Sequence, residues 1–155
     1  MEHTTTRTEH ENMLNDIIQI NNDRIAGYEK AAKHLKEAND DLYNIFNAMA
    51  LQSRQFVNQL RVQLGKQGDQ PDDATTVKGK IYRAWMDVKA TFSGDDRKAA
   101  LESCEYGEEA ALKAYSSALE DSDLNPEWRA ILETQRSFMK ESHDKIRNLL
   151  NKERQ

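Results

Sequence analysis

Residues 14–35 read LNDIIQINNDRIAGYEKAAKHL, and their spacing decides the fold. Leu14, Ile18, Asn21, Ile25, Tyr28, Ala32 and Leu35 alternate at intervals of four and three, so they share one face of a helix. The same period predicts four long helices. The first spans about Glu11 to Glu37. The second spans about Asp41 to Leu64, with Leu42, Phe46, Met49, Ser53, Phe56 and Leu60 inward. The third spans about Asp95 to Leu119, with Leu101, Cys104, Glu108, Ala111, Tyr115 and Ala118 inward. The fourth runs from Pro126 to about Asn151, with Trp128, Leu132, Gln135, Met139, Ser142, Ile146 and Leu149 inward. Asp40 and Asp41 read as a cap, Gly65 and Gly68 as a stop, and Pro126 as a first helical residue.

Each stripe is interrupted near mid-length by polar residues: Asn21, Ser53, Glu108, Gln135 and Ser142. An all-apolar core would be more stable, so such a belt is a site or a device that fixes helix order.

Between the two helix pairs lie residues 65–94, of which 76–91 carry the apolar period Val77, Ile81, Trp85, Val88. Antiparallel neighbours in a bundle need only about two to eight connecting residues. A link this long, half of it helical, can return along the bundle and make the second and third helices parallel. The expectation is an all-α, ferritin-like four-helix bundle, with a long crossover containing an extra short helix. A five-helix up-down array is the alternative. Residues 1–10 read as a flexible tail and 11–151 as one domain.

With the crossover, a rise of about 1.5 Å per residue puts Glu29, Gln52, Glu105 and His143 within about one turn of each other. Arg24, Ser53 and Glu108 lie about one turn away, and Asn21 with Gln135 forms a further layer. Two chemistries follow. Glu29, Glu105, Glu108 and His143 offer carboxylate and imidazole donors suited to iron, manganese or zinc. The alternative is a structural network of Asn21, Arg24, Gln52, Ser53, Gln135 and Ser142, in which Arg24 neutralises Glu108 and Asn21 satisfies Gln135. A complete di-iron set needs Glu-x-x-His on two helices. None exists here, because Ala31 precedes His34 by three and Lys140 precedes His143 by three. No catalytic residue stands out.

Composition narrows the classes. Charged residues make up 32% of the chain and the net charge is -5, with both signs interspersed. No basic footprint for nucleic acid is present, and the Lys78–Lys89 stretch contains Asp87. No apolar run reaches a membrane span. A single cysteine, Cys104, fits a reducing compartment, so a cytoplasmic protein is expected. An oligomer through outer helix faces stays open, with no protein partner indicated.

Several blocks carry a family likeness: Asn21-Asn22-Asp23-Arg24, Gly27-Tyr28-Glu29-Lys30-Ala31, Gln52-Ser53-Arg54-Gln55-Phe56, Gly79-Lys80-Ile81-Tyr82-Arg83-Ala84-Trp85, Cys104-Glu105-Tyr106-Gly107-Glu108 and His143-Asp144-Lys145-Ile146. Together they resemble an uncharacterised bacterial family of small four-helix-bundle proteins in the ferritin-like superfamily. The resemblance covers most of residues 12–150. It implies a ferritin-like fold, a bacterial cytosolic setting and, by the habits of the superfamily, a stress-related role in protein association or ligand binding. It implies no known activity. Relative to iron-oxidising members, Gln52-Ser53-Arg54-Gln55 stands where Glu-x-x-His is expected.

Overall fold

The computed structural model describes residues 8–35, 40–71, 85 and 97–154. Four helices account for nearly all of them: α1 (Glu9–Leu35), α2 (Asp40–Lys66), α3 (Arg97–Leu119) and α4 (Pro126–Glu153). The expected link helix over 76–91 lies outside the described residues, Trp85 excepted. No described helix is long and apolar enough to cross a membrane.

Local chemistry sets the ends. α1 begins earlier than the stripe suggests because Thr8 and Glu11 form a reciprocal cap. Glu11 N donates to Thr8 Oγ1 at 3.1 Å, and Thr8 N donates to Glu11 Oε1 at 2.9 Å. His10 therefore sits inside the helix, and its Nε2 lies 2.7 Å from Asp121 Oδ2 in the α3–α4 turn. α2 stops at Gly68, whose φ of 75° is open to glycine. Asp69 N donates back to Leu64 O and Gly68 N to Gly65 O, both at 3.0 Å, which closes the last carbonyls. Asn125 caps α4 by accepting from Glu127 N at 2.8 Å, with Pro126 in the first turn.

Cross-helix bonds fix the directions. Asn21 meets Tyr115 and Arg24 meets Glu108, so α1 and α3 are antiparallel. Ser53 meets Asn21 and Met49 meets Arg24, so α1 and α2 are antiparallel. Gln63 meets Trp128 and Gln52 meets Ser142, so α2 and α4 are antiparallel. Tyr115 meets Gln135 and Glu105 meets Arg147, so α3 and α4 are antiparallel. It follows that α2 and α3 run parallel, on a diagonal, so that α2 ends and α3 begins at opposite ends of the bundle. Arg97 at the start of α3 is paired with Asp41 at the start of α2, with Nη2 2.8 Å from Oδ2. The five-helix up-down alternative fails on this point.

The core is two apolar clusters. One gathers Leu14, Ile18, Leu60, Leu64, Trp128 and Leu132 at the end where α1 begins. The other gathers Tyr28, Leu35, Phe46, Leu101, Trp85 and Ile146 at the opposite end. Trp85 leaves the link to lie fully buried, its ring 5.3 Å from that of Tyr28. It packs on α3 where Gly107 leaves room: a Cβ built there meets the indole at 2.9 Å.

Glycine inside a helix normally costs about 0.5–1 kcal/mol relative to alanine, so Gly65→Ala, which meets nothing within 4 Å, is expected to stabilise the protein. Gly107→Ala is expected to destabilise it by about 1–3 kcal/mol through overpacking. Urea denaturation of the two variants checks the opposite signs.

Candidate functional site

The polar belt lies between the two apolar clusters and joins all four helices. Its hub is Arg24, whose side chain has no solvent exposure. Nε and Nη2 donate to the two oxygens of Glu108 at 2.6 and 2.8 Å. Nη1 donates to Ser53 Oγ at 2.8 Å, to Gln52 Oε1 at 2.9 Å and to the Met49 carbonyl at 3.3 Å. The guanidinium also lies 5.3 Å from the centroid of the Tyr28 ring, a cation–π contact.

From the hub a directed chain crosses the bundle. Ser53 Oγ donates to Asn21 Oδ1 at 2.8 Å, and Asn21 Nδ2 donates to Tyr115 Oη at 2.9 Å. Tyr115 Oη donates to Gln135 Oε1 at 2.7 Å, and Gln135 Nε2 donates to Gln59 Oε1 at 2.9 Å. Asn21 Nδ2 also reaches the Ile17 carbonyl at 3.0 Å. Ser142 Oγ completes a second arm with Gln52 Oε1 at 3.2 Å. Arginine is always protonated and only donates. It therefore sets the polarity of the chain, with each hydroxyl accepting on one side and donating on the other.

Electrostatics follow from burial. For Arg24, burial alone would lower the guanidinium pKa, but the charge and hydrogen bonds of Glu108 outweigh it and the net shift is upward. Burial, reinforced by the charge of Glu108, pushes the Tyr28 phenol and the Cys104 thiol well above their ordinary values. Burial raises Tyr115 as well, against the hydrogen bond from Asn21. Cys104 is thus an inert thiol. Among the described residues, Tyr28 Oη and Trp85 Nε1 are buried without a hydrogen-bond partner.

The four residues read as metal donors do not converge. Glu108 is at the centre, but both of its oxygens hold Arg24. Glu29 is held on the α1–α2 side by Arg54, whose Nε lies 3.1 Å from its Oε2. Glu105 and His143 do come together, on the opposite α3–α4 side, with Glu109 as the third member. The network residues Asn21, Arg24, Gln52, Ser53, Gln135 and Ser142 are all joined, but Asn21 and Gln135 meet through Tyr115 rather than directly. Tyr115, Gln59 and Glu109 are the members that sequence reasoning missed. Tyr115 sits on an apolar stripe, and no sequence signal reveals its hydroxyl.

The comparison with known families bears on this belt. The domain of unknown function DUF2383 matches residues 9–121, from the start of α1 to the turn after α3. The chain belongs to the DUF2383 family. No curated protein matches the chain. The matched span holds the hub, Arg24 with Ser53 and Glu108, as well as Trp85 and Gly107, whereas Gln135, Ser142 and His143 on α4 lie beyond it.

Removing one partner of a buried ion pair costs about 3–5 kcal/mol because the other charge is left unpaired. Glu108→Leu is expected to lose that much in chemical denaturation, and Arg24→Met with Glu108→Leu to recover most of it. A second outcome concerns alkali. The raised pKa values of Tyr28, Tyr115 and Cys104 mean that the folded protein holds protons the unfolded chain releases. The resulting stability is complete below the ordinary values of 10.0 for tyrosine and 9.0 for cysteine, and falls as pH rises through them. Ultraviolet titration should show Tyr28 and Tyr115 ionising only together with unfolding.

Proposed function

We propose that this chain is a non-enzymatic, ferritin-like helical bundle of the cytoplasm that works by self-association, through the groove between α2 and α4. The observation that carries this is the chemistry of the groove. It is an open groove of about 530 Å³ lined by Ala48, Leu51, Gln52, Gln55, Phe56, Gln59, Thr134 and Phe138, none of them charged. In a chain that is 32% charged, a wholly uncharged lining marks a surface suited to burial. Leu51 and Phe138 stand on its rims at 56% and 48% exposure, more than an isolated bundle needs to show to solvent. A neighbouring depression extends the groove toward the start of α2; Ile45, Ala48, Met49 and Ser142 line it together with Glu141 and Lys145, so the uncharged face ends there at one charge of each sign.

The occupant that fits is a second copy. At a net charge of -5 two copies repel over most of their surfaces, and the uncharged face is where they meet without like-charge conflict. The same patch supplies both the cleft and the apolar ridges, so a two-fold arrangement is self-complementary. The belt contributes by rigidity: Gln52 belongs to both the groove and the network, which holds α2 and α4 at the spacing that leaves the cleft open. Nothing in the belt offers a free nucleophile or an unpaired acid, which supports binding rather than catalysis.

Light scattering across a concentration series is expected to show a dimer for the unaltered chain and a monomer for Phe138→Glu. Helical content should be unchanged, because the position is on the surface, while melting should drop modestly and lose its dependence on concentration, because association stabilises only the folded chain. A monomer at every concentration would overturn self-association. If that monomer still takes up an apolar dye that Phe138→Glu refuses, the groove serves a foreign ligand instead.

A further inference from the structure

Away from the groove, on the α3–α4 side, Glu105 and Glu109 stand one helical turn apart on α3 and face His143 on α4. Ligand atoms from all three lie within 4.8 Å of one another. His143 is only 5% exposed, so its ring is oriented by packing rather than by solvent. Both of its nitrogens face carboxylates: Nδ1 lies 3.1 Å from Asp144 Oδ1, and Nε2 lies 3.3 Å from Glu109 Oε2.

A neutral imidazole has one N–H and one lone pair. With the proton on Nδ1, given to Asp144, the lone pair on Nε2 is left 3.3 Å from a carboxylate oxygen of Glu109. Two acceptors then face each other, one on a buried imidazole and one on a half-exposed carboxylate, and a cation between them removes the conflict. The Asp144–His143 contact is the outer-shell carboxylate that metal-bound histidines commonly carry, where it fixes the tautomer. The set comprises one imidazole nitrogen and two carboxylates on two adjacent helices.

A cation already touches these carboxylates. Arg147 Nε donates to Glu105 Oε2 at 2.7 Å and Nη2 to Glu109 Oε2 at 2.9 Å. Its side chain is 50% exposed, so it can swing into solvent without opening the core. Arg147 is thus a removable counter-ion that competes with whatever cation His143 and the two glutamates would hold.

We infer that Glu105, Glu109 and His143 form a surface-flank site for a divalent first-row transition ion of the zinc type, with Asp144 orienting the imidazole and Arg147 as the displaceable resident cation. Imidazole with carboxylates suits zinc and its neighbours and is a poor match for magnesium. Three protein ligands plus water make a four-coordinate zinc site. The site lies outside the Arg24–Glu108 core and is independent of the α2–α4 groove.

The test is calorimetric titration of Zn²⁺ into the full chain, purified without a metal-chelate column and stripped with chelator, with Mg²⁺ as the control. One zinc per chain is expected, and no magnesium. Asp144→Asn should weaken binding roughly 10–100-fold, the usual effect of an outer-shell loss, and His143→Ala should abolish it. Arg147→Gln should tighten binding by removing the competitor. This variant changes only an exposed side chain, so it reports even if His143→Ala folds poorly. Absence of zinc binding would overturn the site. So would zinc binding that neither Asp144→Asn nor Arg147→Gln changes, since the ion would then be held elsewhere, for example at His10 and Asp121.

Discussion

A guanidinium with no access to water governs this bundle. Arg24 brings donors into the middle of the core, and each must find an acceptor or cost about 1–3 kcal/mol. Three other helices contribute to meeting that demand. α3 supplies Glu108, α2 supplies Ser53, Gln52 and the Met49 carbonyl, and α4 joins through Ser142 and Gln135. Apolar packing alone would tolerate several helix orders, because leucine and isoleucine faces are interchangeable. The Arg24 acceptors are not interchangeable. Exchanging two helices, or turning one by a residue, would strand a buried charge or a buried amide.

The constraint reaches the connection between the helix pairs. Since Arg24 needs α2 on one side and α3 on the other, those helices take opposite corners and run the same way, and the chain must return between them. Trp85 anchors that return: its ring lies on Tyr28 and occupies the gap left by Gly107. Tyr28 in turn lies beneath the Arg24 guanidinium. Trp85 and the polar belt are thus linked through Tyr28, which packs on both.

Much of this was legible in the sequence. The four long helices, their approximate spans and the parallel arrangement of α2 and α3 follow from the three-and-four period and the length of the link. The meeting of Arg24 with Glu108 follows from depth along the bundle, because one rise per residue places both in the same layer. Depth says nothing of the direction in which a flanking residue turns. Glu29 and Glu105 are near one level but face opposite sides, one toward Arg54 and the other toward Arg147. Tyr115 was hidden for another reason: a tyrosine on a core stripe reads as apolar bulk, and its hydroxyl matters only because Asn21 and Gln135 stop short of each other. Glu109 reads as a solvated residue until His143 is placed beside it. The Thr8–Glu11 cap was missed because it sits within a polar stretch that resembles a tail.

The rigid core and the uncharged groove between α2 and α4 share one residue, Gln52, which lines the groove and accepts from Arg24. The account stands or falls on Arg24 being locked at the centre, and nuclear magnetic resonance of its Nε–H tests this most directly. A side chain held along one edge by both oxygens of Glu108 and at Nη1 by Ser53 and Gln52 should give a distinct, shifted Nε–H signal that exchanges with deuterium as slowly as the core amides. An averaged signal that exchanges at the rate of the exposed arginines would contradict it.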